Sequence, residues 1–480
     1  MIQGTGSDVG KSVIVAGLCR IAKQRGIKIA PFKPQNMSYN AAACAGGGEI
    51  GRAQALQALA AGVIPSFDHN PVLLKPESDQ VSQVVVHGSV LTSMQAKQFI
   101  DSRNSLLPAV LESFARLKDA NELVIVEGAG SPAEINLRER DIANMGFAIA
   151  AEVPVCLLGD IERGGVIASI VGTREVISPE DAAMIRGFAI NKFRGDLSLF
   201  DDGVSAIEER TGWPCFGVIP WLHATARLPA EDAVSVIHDT ASRDRPLRIV
   251  APMLSRMANF DDADPLRLDP GVDFEFIAPG RSLPRDADLV ILFGTKSTVG
   301  DLEFLRAQGW DHDVIAHARS GGKVLGVCGG YQMLGNTIRD ESGSDGLAGT
   351  VVGLGLLNVE TTMSEEKTVQ PVSGVDSVSG HGVSGYEIHV GATTGADCKR
   401  PMTCIDGRQE GARNARGNVS GTYIHGFLTG DHYRAGFLNS MGTTATLTDY
   451  DAAVDEALDE LANGLSEALD IDALFAMATL

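Results

Sequence analysis

Residues 3–12, QGTGSDVGKS, place a lysine and a hydroxyl behind glycines at a spacing suited to phosphate. The common pattern G-x-x-x-x-G-K-[ST] asks for glycine where this chain has Thr5, so the loop, counted from Gly4, is one residue longer. Gly4, Thr5, Gly6, Ser7, Asp8, Gly10, Lys11 and Ser12 are the candidate nucleotide-binding residues. The run that follows, VIVAGLCRIAKQRG, has helical apolar spacing, and a helix N-terminus behind a glycine-rich loop offers unpaired N–H groups to an anion. Lys33 stands at the end of the apolar run 27–32 and adds a second ammonium. Glu127 follows LVIV, where a carboxylate at a strand end can hold a magnesium ion together with the loop hydroxyl; Ser12 and Glu127 are therefore the candidate metal ligands. The plainer reading is a glycine-rich turn with a chance lysine, and the acidic strand end downstream weighs against it.

A second chemistry sits at residues 321–335, GGKVLGVCGGYQMLG. Gly326-Val327-Cys328-Gly329-Gly330 reads as strand, sharp turn and helix, with glycines permitting a strained elbow that lifts the thiol out of the sheet. A following helix N-terminus favours the thiolate, which is the nucleophilic form. The bland alternative is a passive cysteine in a buried turn of small residues. A nucleophile needs a base, and three histidines lie downstream: His381 in a Gly/Ser-rich stretch, His389 in GYEIHVG and His425 in GTYIHGFL. His425, at the end of a β-rich run, is the expected base; His389 could equally be a packed or interface histidine, and His381 lacks a fixed setting.

These residues must be positioned by sheets. Apolar runs of strand length occur at 27–32, 122–128, 153–160 and 187–191, and again at 247–253, 288–294 and 322–328, separated by helical stretches. That alternation predicts α/β architecture in two domains, each a mostly parallel sheet wrapped by helices. The polar stretch 222–246 breaks the rhythm and marks the boundary. The expected division is a synthetase domain over 1–235, a second domain over 247–448 and an acidic helical tail over 449–480. The tail carries Val454, Leu458, Leu461, Leu465 and Leu469 at helical spacing and should dock by that face. Residues 341–384 are rich in Gly, Ser and Thr and suggest loops and antiparallel hairpins. Only Met1 and Ile2 precede Gln3, so the first strand is expected to be unusually short, or the start truncated.

The chain has 480 residues, 44% of them hydrophobic, and a formal net charge of -21. Such acidity argues against nucleic-acid and membrane-surface binding, both of which need clustered positive charge, and leaves small molecules as partners. From residue 449 onward there is no Lys or Arg. Seven cysteines without a repeating framework, and no leader-like segment, suit a reducing cytoplasm. Cys398 and Cys404 have the wrong spacing for a compact zinc pair and are expected to be structural.

The longer loop resembles G-T-x-[ST]-x-x-G-K-[ST] of the dethiobiotin synthetase branch of P-loop enzymes, matched by Gly4, Thr5, Ser7, Gly10, Lys11 and Ser12. The elbow and late histidine resemble class I glutamine amidotransferase domains, matched by Cys328 and His425. Most of that class carry Glu two residues after the histidine; here the position is Phe427, as in the subgroup acting on corrin precursors, which leaves open what orients the imidazole. By the same resemblance, Gly294 and Thr295 of LFGTKST, with Gly329, are the candidates for holding glutamine and the oxyanion. Taken in order, KPQNM, GEIGRAQALQA, NPVLLKP, SQVVVHG, EGAGSPAEINLRERDIANMG, GDIERGG and INKFRGD, together with the elbow and histidine motifs, resemble the cobyric acid synthase family over residues 3 to about 440. The resemblance implies ATP- and glutamine-dependent amidation of four peripheral carboxylates (b, d, e and g) of adenosylcobyrinic acid a,c-diamide. ATP, Mg2+, glutamine and a corrinoid would then be bound, with no permanent prosthetic group. Lys33, Arg52, Lys75, Arg138, Arg140, Arg163, Lys192 and Arg194 lie in the first domain's motifs and could meet the substrate's carboxylates, although a solvated surface charge is the default for each except Lys33. Two rivals stand beside this reading: a cobyrinic acid a,c-diamide synthase, and a regulatory P-loop ATPase whose second domain is not catalytic.

Overall fold

The computed structural model describes residues 1–44, 47–76, 81–229, 247–341, 343, 348–442 and 447–479. In the first half, Ile2–Gly4, Val155–Asp160, Ile185–Phe193 and Cys215–Pro220 pair in parallel, and a parallel bridge from Ile2 to Glu127 joins them to the pair Leu123–Val126 and Ile29–Phe32. The three-residue first strand is therefore central, with Glu127 on one side and Cys156 on the other. Its brevity is tolerable because both edges are paired, so few backbone groups are left unmet. Most of the boundary stretch, residues 230–246, lies outside the described residues; Ala224 and Leu228 just before it are buried.

In the second half, Leu247–Pro252, Val272–Ile277, Leu289–Leu292, Lys323–Val327 and Val419–Thr422 form a parallel sheet, closed on one edge by the antiparallel pair with Ala412–Arg413. The Gly/Ser-rich region builds a long antiparallel hairpin of Val359–Asp376 and Gly382–Gly395, and Ile424–His425 adds to its edge. His381 sits between the hairpin's strands, where its ring lies against Gly436 rather than any catalytic group.

The tail helix Tyr450–Ala468 packs on the loop helix Lys11–Gln24, and Val454, Leu458, Leu461, Leu465 and Leu469 are all buried in the first domain's core. A Cβ at Gly17 would lie 2.4 Å from Leu465 Cδ1, so the absence of a side chain there permits the close helix approach. Arg20, buried, donates to Asp459 across the same contact at 2.6 Å. Among the described residues no helix is long and apolar enough to cross a membrane, and all seven cysteines are free thiols.

Candidate active site

The nucleotide loop runs from the central strand into the helix Lys11–Gln24, with Gly10 in the left-handed region (φ 97°) at the helix start. A Cβ at Gly10 would lie 2.4 Å from Asn191 Nδ2, which itself donates to Val9 O at 2.8 Å and pins the loop from the strand Ile185–Phe193. Lys192 Nζ donates to Asp8 O at 2.6 Å and to Asp160 at 2.8 Å. Lys11 Nζ curls back onto Gly6 O at 2.8 Å and Gly130 O at 3.2 Å, which keeps the ammonium inside the loop.

Glu127 is where the first site converges. It is buried, and Ser12 Oγ and Lys33 Nζ each donate to its Oε1 at 2.7 Å, while Gln57 and Gln54 donate to Oε2 at 2.6 and 3.2 Å. Nothing in the local pattern singles out Gln54 and Gln57, which project from the helix Arg52–Ala61. Oxygen donors at Ser12 and Glu127 suit a magnesium ion, which takes one or two carboxylates plus phosphate oxygens and water rather than a full protein cage.

The other cations named above all have carboxylate partners. Arg52 meets Asp261, Lys75 meets Glu49, Arg138 meets Asp181, Arg140 meets Asp101, Arg163 meets Asp8, Lys192 meets Asp160 and Arg194 meets Glu162. Lys75 and Glu49 are both buried, and Lys367 of the second half donates to the same carboxylate. Burial pushes Glu49 up, but Lys75, Lys367 and Lys296 outweigh it and hold the group well below the usual carboxylate range.

In the second half, Cys328 occupies a turn with φ 53° and ψ -112°, a conformation that L-residues rarely adopt. The glycines around it are sterically required: a Cβ at Gly326 would lie 2.7 Å from Gly330 C, and one at Gly330 only 1.9 Å from Leu292 O. Gln332, on the short helix after the elbow, donates to Val390 O and Tyr423 Oη and accepts from Thr298, fixing the elbow against the hairpin and the loop after Leu289–Leu292. Cys328 N donates to Thr422 O at 2.8 Å, and the thiol lies 3.5 Å from Ile388 O.

His425 is buried beside it. A Cβ at Gly294 would lie 3.1 Å from His425 Cε1 and 3.6 Å from Cys328 Cβ, so the bare glycine backbone borders both groups. His425 Nδ1 lies 2.7 Å from Asp262 Oδ2, and Gly426 N donates to Asp262 Oδ1 at 2.6 Å. Burial disfavours the imidazolium, yet Asp262 and Cys328 together raise His425 to about 10. Asp262, in the turn Phe260–Ala263, fills the role left open at Phe427. The only hint in the sequence was an acidic run, FDDADP, shortly after a strand of the same sheet. His389 instead stacks on Tyr423, ring centroids 3.9 Å apart, and burial lowers its pKa. Thr295 donates its hydroxyl to Asp301, while its backbone N lies 3.2 Å from where a Gly329 Cβ would be. Cys398 lies 3.8 Å from Tyr331 Oη.

Comparison with known proteins agrees with this two-site layout. Residues 1–236 match the CobQ/CobB/MinD/ParA nucleotide binding domain, and residues 248–433 match the CobB/CobQ-like glutamine amidotransferase domain. Cobyric acid synthase of Hyphomonas neptunium is 60% identical over 479 residues, covering 100% of this chain and 97% of that protein. Cobyric acid synthase of Paracoccus denitrificans is 60% identical over 478 residues, covering 100% and 99%. That of Cereibacter sphaeroides strain ATCC 17025 is 58% identical, with the same coverage. With a cysteine elbow and a phosphate loop in one chain, and this identity along its whole length, the chain belongs to the cobyric acid synthase family.

Proposed function

We propose that the chain is an ATP-driven, glutamine-hydrolysing amide synthetase that converts four peripheral carboxylates (b, d, e and g) of adenosylcobyrinic acid a,c-diamide to amides. The reading is carried by one observation: Cys328, on a strained elbow, shares a buried site with His425, whose far nitrogen is held by Asp262. With Nδ1–H donated to Asp262, Nε2 is the nitrogen that exchanges protons in catalysis. The Cys328 thiolate attacks the glutamine side-chain carbonyl, and His425 gives its proton to the departing amine, leaving a thioester that water cleaves to glutamate. Backbone N–H groups around Gly329 and Thr295, next to Gly294, are the candidates for holding the oxyanion.

In the first half, the loop from Gly4 to Ser12 cradles ATP, and Lys11 and Lys33 meet its phosphates. A substrate carboxylate oxygen attacks the γ-phosphorus, giving an acyl phosphate and ADP; ammonia then displaces phosphate and leaves the amide. Ser12 and Glu127 would hold Mg2+, which when bound neutralises phosphate charge. The reaction is placed in the cytoplasm, where free thiols and ATP coexist.

Mass spectrometry of the product tests this, with the diamide or cobyrinic acid as substrate and glutamine or ammonia as nitrogen source, for the wild type and Cys328→Ser. Four amides from either nitrogen source for the wild type, and from ammonia alone for the variant, are expected. A wild type that amidates only cobyrinic acid, and stops at two, would point to the diamide synthase. ATP turnover without amide formation, indifferent to Cys328→Ser, would point to a regulatory ATPase.

A further inference from the structure

The turn that carries Asp262 is gripped from the other domain. Asn259, which opens the turn with a positive φ of 53°, donates its backbone N–H to Asn40 Oδ1 at 2.6 Å and its side chain to Ala41 O at 3.2 Å. The next contact is ionic: Arg52 Nε lies 3.0 Å from Asp261 Oδ2, an acid with 4% side-chain exposure. Adjacent acids in one tight turn thus face opposite ways, Asp261 to Arg52 of the nucleotide-binding half and Asp262 to His425. Tyr386 bridges the two, accepting from Asn259 at 3.1 Å while its ring stacks on His425 with centroids 5.5 Å apart. Arg52 is also the first residue of the helix whose Gln54 and Gln57 hold Glu127.

We propose that Arg52 is a positioning residue for the glutaminase centre: by holding Asp261 it fixes the turn that aims Asp262 at His425, so the nucleotide-binding half completes the glutamine site. This deepens the function proposed above and rests on it. The argument is electrostatic as well as steric. Two buried neighbouring carboxylates repel, and without a cation on Asp261 the turn would have to protonate one of them or move it toward water. Burial raises Asp261, and Arg52 opposes that rise. Asp261 faces Arg52, Asp262 and His425; Arg52 is in turn surrounded by Asp261, Asp264, Tyr386 and, from the tail helix, Tyr450. His425 faces Asp262, Cys328, Asp261 and His389. A turn released from Arg52 weakens the Asp262 contact and destabilises the imidazolium that accompanies the thiolate.

The test uses the full chain with Arg52→Gln, Arg52→Lys and the double variant Arg52→Gln/Asp261→Asn, which leaves neither charge buried alone and carries the test if the single variant does not fold. Glutamine hydrolysis and the pH dependence of Cys328 alkylation by iodoacetamide are measured on each. Part of the 10²–10⁴ that acid–base groups typically supply should vanish, so Arg52→Gln should lose at least ~10-fold in kcat with little change in KM. Its alkylation midpoint should move up by about one pH unit. Arg52→Lys should recover most of both, and the double variant, relieved of the carboxylate repulsion but still without the tether, should recover only part. Wild-type rate and alkylation profile in Arg52→Gln would overturn the proposal. So would a rate loss with an unmoved alkylation midpoint, or full recovery in the double variant, which would reduce Arg52 to a neutraliser of Asp261. A wild type that hydrolyses no glutamine would instead refute the function on which the proposal rests.

Discussion

Asp262→Asn is the most informative single substitution, because the two carboxylate oxygens of Asp262 receive two different donors. Gly426 N–H, a fixed backbone donor, takes Oδ1, and His425 Nδ1–H takes Oδ2. Asparagine has one acceptor oxygen. The backbone donor cannot turn away, so the amide oxygen stays on Gly426 and the NH2 group faces His425. The imidazole then accepts at Nδ1 and carries its proton on Nε2, the wrong tautomer for taking a proton from Cys328. The rise of His425 from 6.5 to about 10 spans about 3.5 pH units, and at about 1.4 kcal/mol each this favours the imidazolium by roughly 5 kcal/mol. Losing most of that, with the tautomer reversed, should lower kcat for glutamine hydrolysis by ~10³–10⁴-fold, the scale seen when such an acid becomes an amide. The sign for stability follows from a raised folded-state value: the contribution is full below pH 6.5 and disappears as pH rises through about 10. Wild type and variant should therefore differ most in denaturant midpoint near pH 6 and converge above pH 10. Glutamate release and urea unfolding at both pH values are the assays. A variant within fivefold of wild-type kcat would refute the assignment of Asp262 as the acid that orients His425.

Glu127→Gln removes the carboxylate shared by Ser12 and Lys33 and leaves the buried Lys33 ammonium without its counter-ion; ammonia-dependent synthesis should fall by roughly 10²-fold or more, measured as ADP release coupled to amide formation. Glu49→Gln leaves Lys75 and Lys367 facing each other across the domain contact and should cost ~3–5 kcal/mol in chemical denaturation. Because Glu49 is held below its ordinary 4.5, its contribution is present above that value and is lost as pH falls further, so wild type should lose stability in acid faster than the variant. Leu461→Ala in the tail should destabilise by about 2–5 kcal/mol, since its side chain is fully buried against the loop helix. An unchanged melting profile would show that the first domain does not depend on the tail.

Local pattern carried much of the fold. Each apolar run of strand length became a parallel strand, because a strand covered on both faces must be apolar throughout, and such runs can be read without knowing their partners. The loop and the elbow were equally legible, since each packs its chemistry into consecutive residues: glycines that a Cβ would block, then the reacting side chain. The strand Val272–Ile277 was missed because acids and aromatics alternate in VDFEFI on an edge of the sheet, where one face is only partly covered. The small sheet of Gln35–Met37, Val72–Pro76, Val81–Val86 and Ser89–Gln95 carries motifs read as family signatures rather than as structure.

What could not be read were roles created by chain crossing. Asp262 reaches His425 over 163 residues, and the sequence offers Asp261, Asp262 and Asp264 within four positions with nothing to rank them. Only the fold separates them: Asp262 turns to the imidazole, Asp261 to Arg52, and Asp264 to Arg267, which is too little to keep it acidic, so burial lifts it to about 7. The same limit applies to the cations. As isolated letters, Arg52, Lys75 and Arg138 could each await a substrate carboxylate, but each is already answered by an acid far along the chain. On the function proposed above, a polycarboxylate entering the first domain would meet these cations already paired with protein carboxylates. In a chain of charge -21, pairing these motif cations with internal acids keeps buried charge compensated, and at Arg52 the same pair also joins the two halves of the chain at the turn that carries Asp262.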